Sequence, residues 1–171
     1  MVIWLGSETM FFAGLFAAYL TIRAHTPVWP PKGVELNTRM GAIFTAVLVA
    51  SSATMHFATR SAERRDLKGV SRWIGTSLAL GALFMGNQVY EWTNLPFSID
   101  SHAYGSAFYA MTGFHGLHVL GGMAAMALVQ FRAIRPLPGA DNTGAVEALS
   151  LYWHFVDVVW IGLFALLFLV R

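Results

Sequence analysis

The chain contains no cysteine in its 171 residues, and only 12% of its side chains are charged, against 56% hydrophobic. The missing thiol excludes disulfides, thiolate metal sites and iron–sulfur clusters together, so any redox ligand set would have to rest on the six histidines. So little charge also excludes the composition of an ordinary soluble domain. There is no internal repeat, low-complexity tract or charged tail. The net charge of +2 is dispersed among apolar segments and offers no nucleic-acid surface. The first apolar run has no basic stretch before it, carries Glu8, and leads to Arg23 and Trp29-Pro30-Pro31 rather than to a small-residue cleavage site. No cleaved signal peptide is therefore expected.

What the sequence has in quantity is long apolar runs: Val2 to Ile22, Met40 to Thr59, Trp73 to Tyr90, Ala103 to Phe131 and Ala148 to Val170. A membrane-spanning helix needs about 20 mostly apolar residues, and backbone groups in lipid must be satisfied within the segment. The expectation is an all-α, polytopic membrane bundle of five transmembrane helices, with residues 1–171 forming a single transmembrane domain. Arg60, Arg64, Arg65, Lys68 and Arg72 lie between the second and third runs, and Arg132 and Arg135 between the fourth and fifth. The opposite side carries Arg23, Lys32, Arg39 and Arg171, so the basic excess predicts the N-terminus inside and the C-terminus outside. Glu63-Arg64-Arg65-Asp66 mixes signs and reads as a solvated turn, with attraction to anionic lipid as the weaker reading. The segment Trp92 to Tyr104 reads as an outer loop that ends in an Asp- or Ser-capped helix start. Ala13/Ala17, Gly14/Ala18 and Gly113/Gly116 offer small residues for close helix approach.

Ionisable side chains inside such runs are costly and must face protein, a partner or water. Glu8 lies about 9 Å along the first helix, and His154 and Asp157 about 9–14 Å along the fifth from Ala148. With His56 near the inner end of the second helix, these four share the inner half. Glu147, Ser150, His154 and Asp157 follow spacings of three and four, which makes one polar stripe. His115 and His118 share a face of the fourth helix nearer the midplane. For His154–Asp157 and His115/His118 the simpler reading is hydrogen bonding that joins helices; proton handling and metal ligation are the sharper ones. No third ligand at matching depth is evident. A haem held by His118 and His154 is the one faintly workable pair. Glu8 has no charged neighbour in its own run; it reads equally as a candidate proton site and as a neutral acid bonded to a backbone carbonyl or to a histidine on another helix. Glu91 could snorkel to the outer interface.

Several stretches, taken in order, carry a family resemblance. They are Ser7-Glu8 with Phe11-Phe12, Trp29-Pro30-Pro31 with Leu36-Asn37, Leu48 to Ser52, Tyr90-Glu91, Tyr104-Gly105-Ser106, Thr112 to Val119 and Tyr152 to Trp160. In this order and spacing the chain resembles subunit III of the haem–copper cytochrome c oxidases, in a short five-helix bacterial form. The resemblance implies a subunit of the bacterial plasma membrane that carries no cofactor itself. Haem and copper would sit in partner subunits. The chain would pack directly on catalytic subunit I, with subunit II and other respiratory subunits nearby and a respiratory supercomplex as a wider setting. Family members hold phospholipid in a cleft between helices, sustain proton uptake by subunit I and protect it during turnover. Glu8, His56, His118, His154 and Asp157 would then be lipid-cleft or helix-joining groups, with His115, Glu91 and Glu147 secondary. Many members have seven helices, with the cleft between the first two and the other five; here its missing wall would be lipid or another subunit. Quinol oxidases and nitric oxide reductases have similar subunits. From other classes, an independent proton-coupled carrier would be expected to show paired repeats and broken helices, which this sequence lacks. A haem-bearing membrane cytochrome would show a Soret band on the isolated chain.

Overall fold

The computed structural model describes residues 2–31, 33–34, 36–134 and 143–170. Regular structure among them is helical throughout: α1 (Val2–His25), α2 (Thr38–Glu63), α3 (Leu67–Asn94), α4 (Ala103–Ile134) and α5 (Thr143–Phe164), which continues as a π-helical turn over Ala165–Leu169. Four of the five, α1, α2, α4 and α5 with its continuation, are long and apolar enough to cross a membrane. The exception, α3, has 28 residues, which suffices in length. Its polarity comes from Lys68, Arg72, Asn87, Gln88 and Glu91.

The helices outrun the apolar stretches because capped polar turns extend them beyond the lipid-matched part. Asn37 accepts from the Met40 backbone N–H at 3.1 Å and starts α2 two residues ahead of the apolar run. Asp66 accepts from the Gly69 N–H at 3.0 Å and starts α3 six residues ahead of Trp73. Between them Arg65 takes a positive φ of 55° to close the tight turn. At the start of α4 the expected Asp or Ser cap is replaced by His102, whose Nδ1 accepts from the Gly105 N–H at 2.8 Å. Asp100 is occupied within the loop, where Ser98 donates to it at 2.5 Å and holds its carboxyl below the usual range. Three basic residues used for orientation, Lys32, Arg135 and Arg171, lie outside the described residues.

Packing makes a ring of four helices with a fifth at its side. α2 lies against α3 and α5, and α4 against the same two, while α1 touches chiefly α4 and α5. Two tryptophans seven residues apart on α5 close the ring. The indole of Trp153, 0% exposed, sits where a Cβ on Gly81 of α3 would come within 3.0 Å and one on Gly122 of α4 within 2.8 Å. Its Nε1 donates to Ser51 of α2 at 2.8 Å, so one side chain bonds or packs with all three other ring helices. Two turns on, Trp160 donates to Thr45 of α2 at 3.0 Å, meets Phe84 of α3 edge-on at 4.7 Å and stacks on His115 of α4 at 4.9 Å. Close approach thus comes from Gly81 and Gly122, whereas Gly14, expected to serve it, faces open space. Gly113 and Gly116 make ordinary contacts with Trp92 and Met85.

α1 is held differently. Among its described side chains only Phe12 and Tyr19 are buried, and Ile3, Met10 and Leu20 face outward. At its C-terminal end Tyr19 accepts a hydrogen bond from Trp29 at 3.1 Å, and both rings lie on Tyr104 of α4. The Trp29-Pro30-Pro31 loop is therefore a latch between α1 and α4.

Candidate functional site

Two polar joints occupy the bundle, one at each margin of α5. The first connects α1 to α4. Glu8 Oε2 and His118 Nε2 lie 3.0 Å apart, with side chains 21% and 17% exposed. The other ring nitrogen of His118 lies 2.7 Å from the Phe114 carbonyl one turn back, which leaves Nε2 to face Glu8. Tyr152 of α5 donates to the His118 carbonyl at 2.8 Å, and its ring stacks on Trp4 of α1 at 5.4 Å. Phe11 and Phe12 close around the imidazole, and Phe12 also meets Phe155. An acid and an imidazole thus share a proton-bearing contact inside an aromatic collar. Beside it a mostly apolar groove of about 440 Å³ runs between Trp4, Gly121, Ala125, Ala148 and Tyr152.

The second joint connects α2 to α5 through one hydroxyl. Ser52 Oγ lies 2.8 Å from His154 Nδ1 and hydrogen-bonds Asp157 Oδ2. His154 Nε2 is 3.3 Å from Ser150 Oγ, while Asp157 Oδ1 is buried without a partner. His154 and Asp157, three residues apart on one helix, are bridged by a third group from the facing helix. Next to this network Thr54 of α2 and Ser77 of α3 bond at 2.7 Å, so the polar seam runs on toward the third helix.

The remaining candidates stand apart. His115 and His118 are offset by about 60° around α4 and meet different neighbours, His118 facing α1 and His115 facing α3 and α5. His115, 1% exposed, points between Phe84 and Trp160, and neither of its ring nitrogens has a partner. His56 is exposed on α2, its ring 6.3 Å from that of Phe57. Glu147 is exposed at the start of α5 and takes no place in the Ser150–His154 network. Glu91, near the C-terminal end of α3, shares a small pocket with Asn37, Asn87 and Asn94. His118 and His154 meet different partners and form no axial pair. Among the described residues no group of three or more His, Asp or Glu could hold a metal ion.

Sequence reasoning allows Glu8 a histidine on another helix but does not say which one, and it misses Ser52 as the partner of His154 and Asp157. Glu8 and His118 are 110 residues apart and Ser52 and Asp157 are 105 apart, and no periodicity within one helix links them. The available signal for Ser52 is its place in the Leu48 to Ser52 stretch.

These features define an all-helical membrane protein whose interior acids and imidazoles are largely engaged with one another and with hydroxyls of facing helices. Comparison with known proteins places that class. The sequence profile described as Cytochrome c oxidase subunit III matches residues 1–170. A probable cytochrome c oxidase subunit 3 of Nocardia farcinica is 49% identical over 99% of this chain and 86% of its own length. The cytochrome c oxidase subunit 3 of Thermostichus vulcanus is 40% identical over 99% and 85%. That of Synechocystis is 39% identical over 99% and 73%. The chain belongs to the cytochrome c oxidase subunit III family.

Proposed function

We propose that this chain is an accessory subunit without haem or copper of its own. In this reading it supports proton uptake and turnover stability in catalytic subunit I, which reduces oxygen to water with proton pumping. Five helices cross the bacterial plasma membrane as one domain, with the N-terminus inside and the C-terminus outside. The observation that carries this reading is how the polar interior is used. Glu8–His118 and Ser52–His154–Asp157 join helices, and groups so engaged are poor candidates for ligands to a redox centre. A protein built this way serves a centre held by its neighbour. Glu8 is the group best suited to proton traffic: it is partly open, bonded to one imidazole, and sits on the least embedded helix. The groove next to it is wide and apolar enough for an acyl chain. Subunits I and II and phospholipid are the partners that follow.

An oxidase complex purified without this chain should keep its haem spectrum and initial rate, then lose activity progressively during turnover. Unchanged endurance would sink the accessory role. In the intact complex, Glu8→Ala should shorten endurance or lower lipid retention, and identical kinetics with identical lipid content would reduce Glu8 to a helix joint.

A further inference from the structure

At the end of the bundle that carries the α2–α3 turn, away from both joints, a shallow pocket of about 350 Å³ lies between the first turns of α3 and the last of α4. Leu67, Lys68, Ser71, Arg72, Ala133 and Ile134 line it. We infer that this pocket holds the phosphodiester headgroup of an anionic phospholipid.

The charge is one-sided for a geometric reason. At about 100° per residue, positions 67, 68, 71 and 72 fall on one face of α3 and positions 66, 69 and 70 on the other. Lys68 and Arg72 therefore stand one turn apart on the pocket side. The nearest acid, Asp66, points to the opposite face, where the Gly69 N–H occupies it at 3.0 Å. Ser71 is fixed between the two cations by Gln130 of α4, whose amide donates to its oxygen at 3.1 Å, and this leaves the hydroxyl hydrogen available to a phosphate oxygen. Arg72 lies over the Trp73 ring at 5.2 Å, a cation–π contact that limits the freedom of the guanidinium.

The apolar surroundings favour a lipid over a free anion. Leu67, Ala133 and Ile134 supply the apolar part of the pocket's lining. From Ile134 an exposed stripe of Phe131 and Leu128 runs down α4 at spacings of three, 61%, 57% and 68% exposed in turn. A headgroup seated on Lys68, Ser71 and Arg72 would place its acyl chains on that stripe. A free phosphate or nucleotide would gain nothing from it.

The full chain, extracted with its native partners, can be stripped of loosely held lipid, offered dioleoylphosphatidylglycerol or dioleoylphosphatidylcholine in mixed micelles, and read by native mass spectrometry. Phosphatidylglycerol should be retained in preference to phosphatidylcholine. Lys68→Gln with Arg72→Gln should weaken that retention by about 30-fold, the size expected from two basic side chains at an anionic surface. Lys68→Arg should keep it. Arg64→Gln with Arg65→Gln removes the same charge from the neighbouring turn and should leave retention intact. Equal loss from the two pairs would reduce the effect to general attraction and overturn the site. Displacement of phosphatidylglycerol by inorganic phosphate alone would assign the pocket to a free anion and overturn the lipid reading. Equal retention of the two lipids would do the same.

Discussion

The hydroxyl of Ser52 ties the two ionisable groups of α5 to α2. It is the one described partner of Asp157 Oδ2 and the nearer of two partners of His154. Ser52→Ala would leave a buried carboxylic group without partners on either oxygen, since Oδ1 already has none. That orphaning costs about 1–3 kcal/mol, more than the ~0.6 kcal/mol average of an interhelical hydrogen bond in a bilayer. Ser150→Ala removes a 3.3 Å contact from His154 and leaves Asp157 untouched, so it should cost less than half as much. Thermal unfolding of the detergent-extracted complex measures both, and equal losses would show that Ser52 is not the joint. Composition and depth single out His154, Asp157 and Glu8, because an ionisable residue within an apolar run is conspicuous. Their partners stay hidden for the converse reason: a serine or a second histidine on another helix is common and carries no spacing signal. His115 illustrates the limit. Its three-residue spacing from His118 suggests a shared face, yet the offset of roughly 60° between them is enough to send it into a different interface.

Helices are legible because the apolar runs are long and continuous, and that same continuity hides which of their faces touch. α1 and α4 are apolar nearly all round, so no stripe in either sequence indicates the buried side. Small residues are a partial guide that fails where helices do not meet. Gly14 lies on the outward side of α1, where an added Cβ would find nothing within 4 Å, while a Cβ added to Gly122 would come within 2.8 Å of Trp153 and 3.0 Å of Tyr152. Gly122→Ala should therefore push the central indole off Gly81 and Ser51 and cost about 1–3 kcal/mol, the usual penalty of overpacking. Gly14→Ala should cost nothing measurable, and it adds a better helix former. Comparing the unfolding midpoints of the two variants in the extracted complex decides this. A larger effect at Gly14 would mean that α1 is packed by a partner on the face that is open here.

The ring of four helices makes a demand on the one helix that composition leaves ambiguous. α3 is less apolar than the four helices that qualify by length and composition, yet it meets neighbours at every level of its length. Along it Ser77 meets Thr54 of α2, Gly81 meets Trp153 of α5, Phe84 meets His115 of α4, and Trp92 meets Tyr109 of α4. Its polar groups Ser77 and Gln88 are buried inside the ring rather than presented to lipid. We expect a helix flanked in this way by α2 and α4 to cross with them. If it does, the turn at Arg64 and the loop at Ile99 lie on opposite sides of the membrane, and the basic excess puts Arg64 inside. The absence of cysteine makes this directly measurable, since Arg64→Cys and Ile99→Cys each create a chain with one thiol. Ile99 is exposed in its loop, so its replacement leaves the core intact. A membrane-impermeant maleimide added to intact cells should label the Ile99→Cys chain at once and the Arg64→Cys chain only after permeabilisation. The reverse pattern would invert the orientation, and identical labelling of both would mean that α3 does not cross.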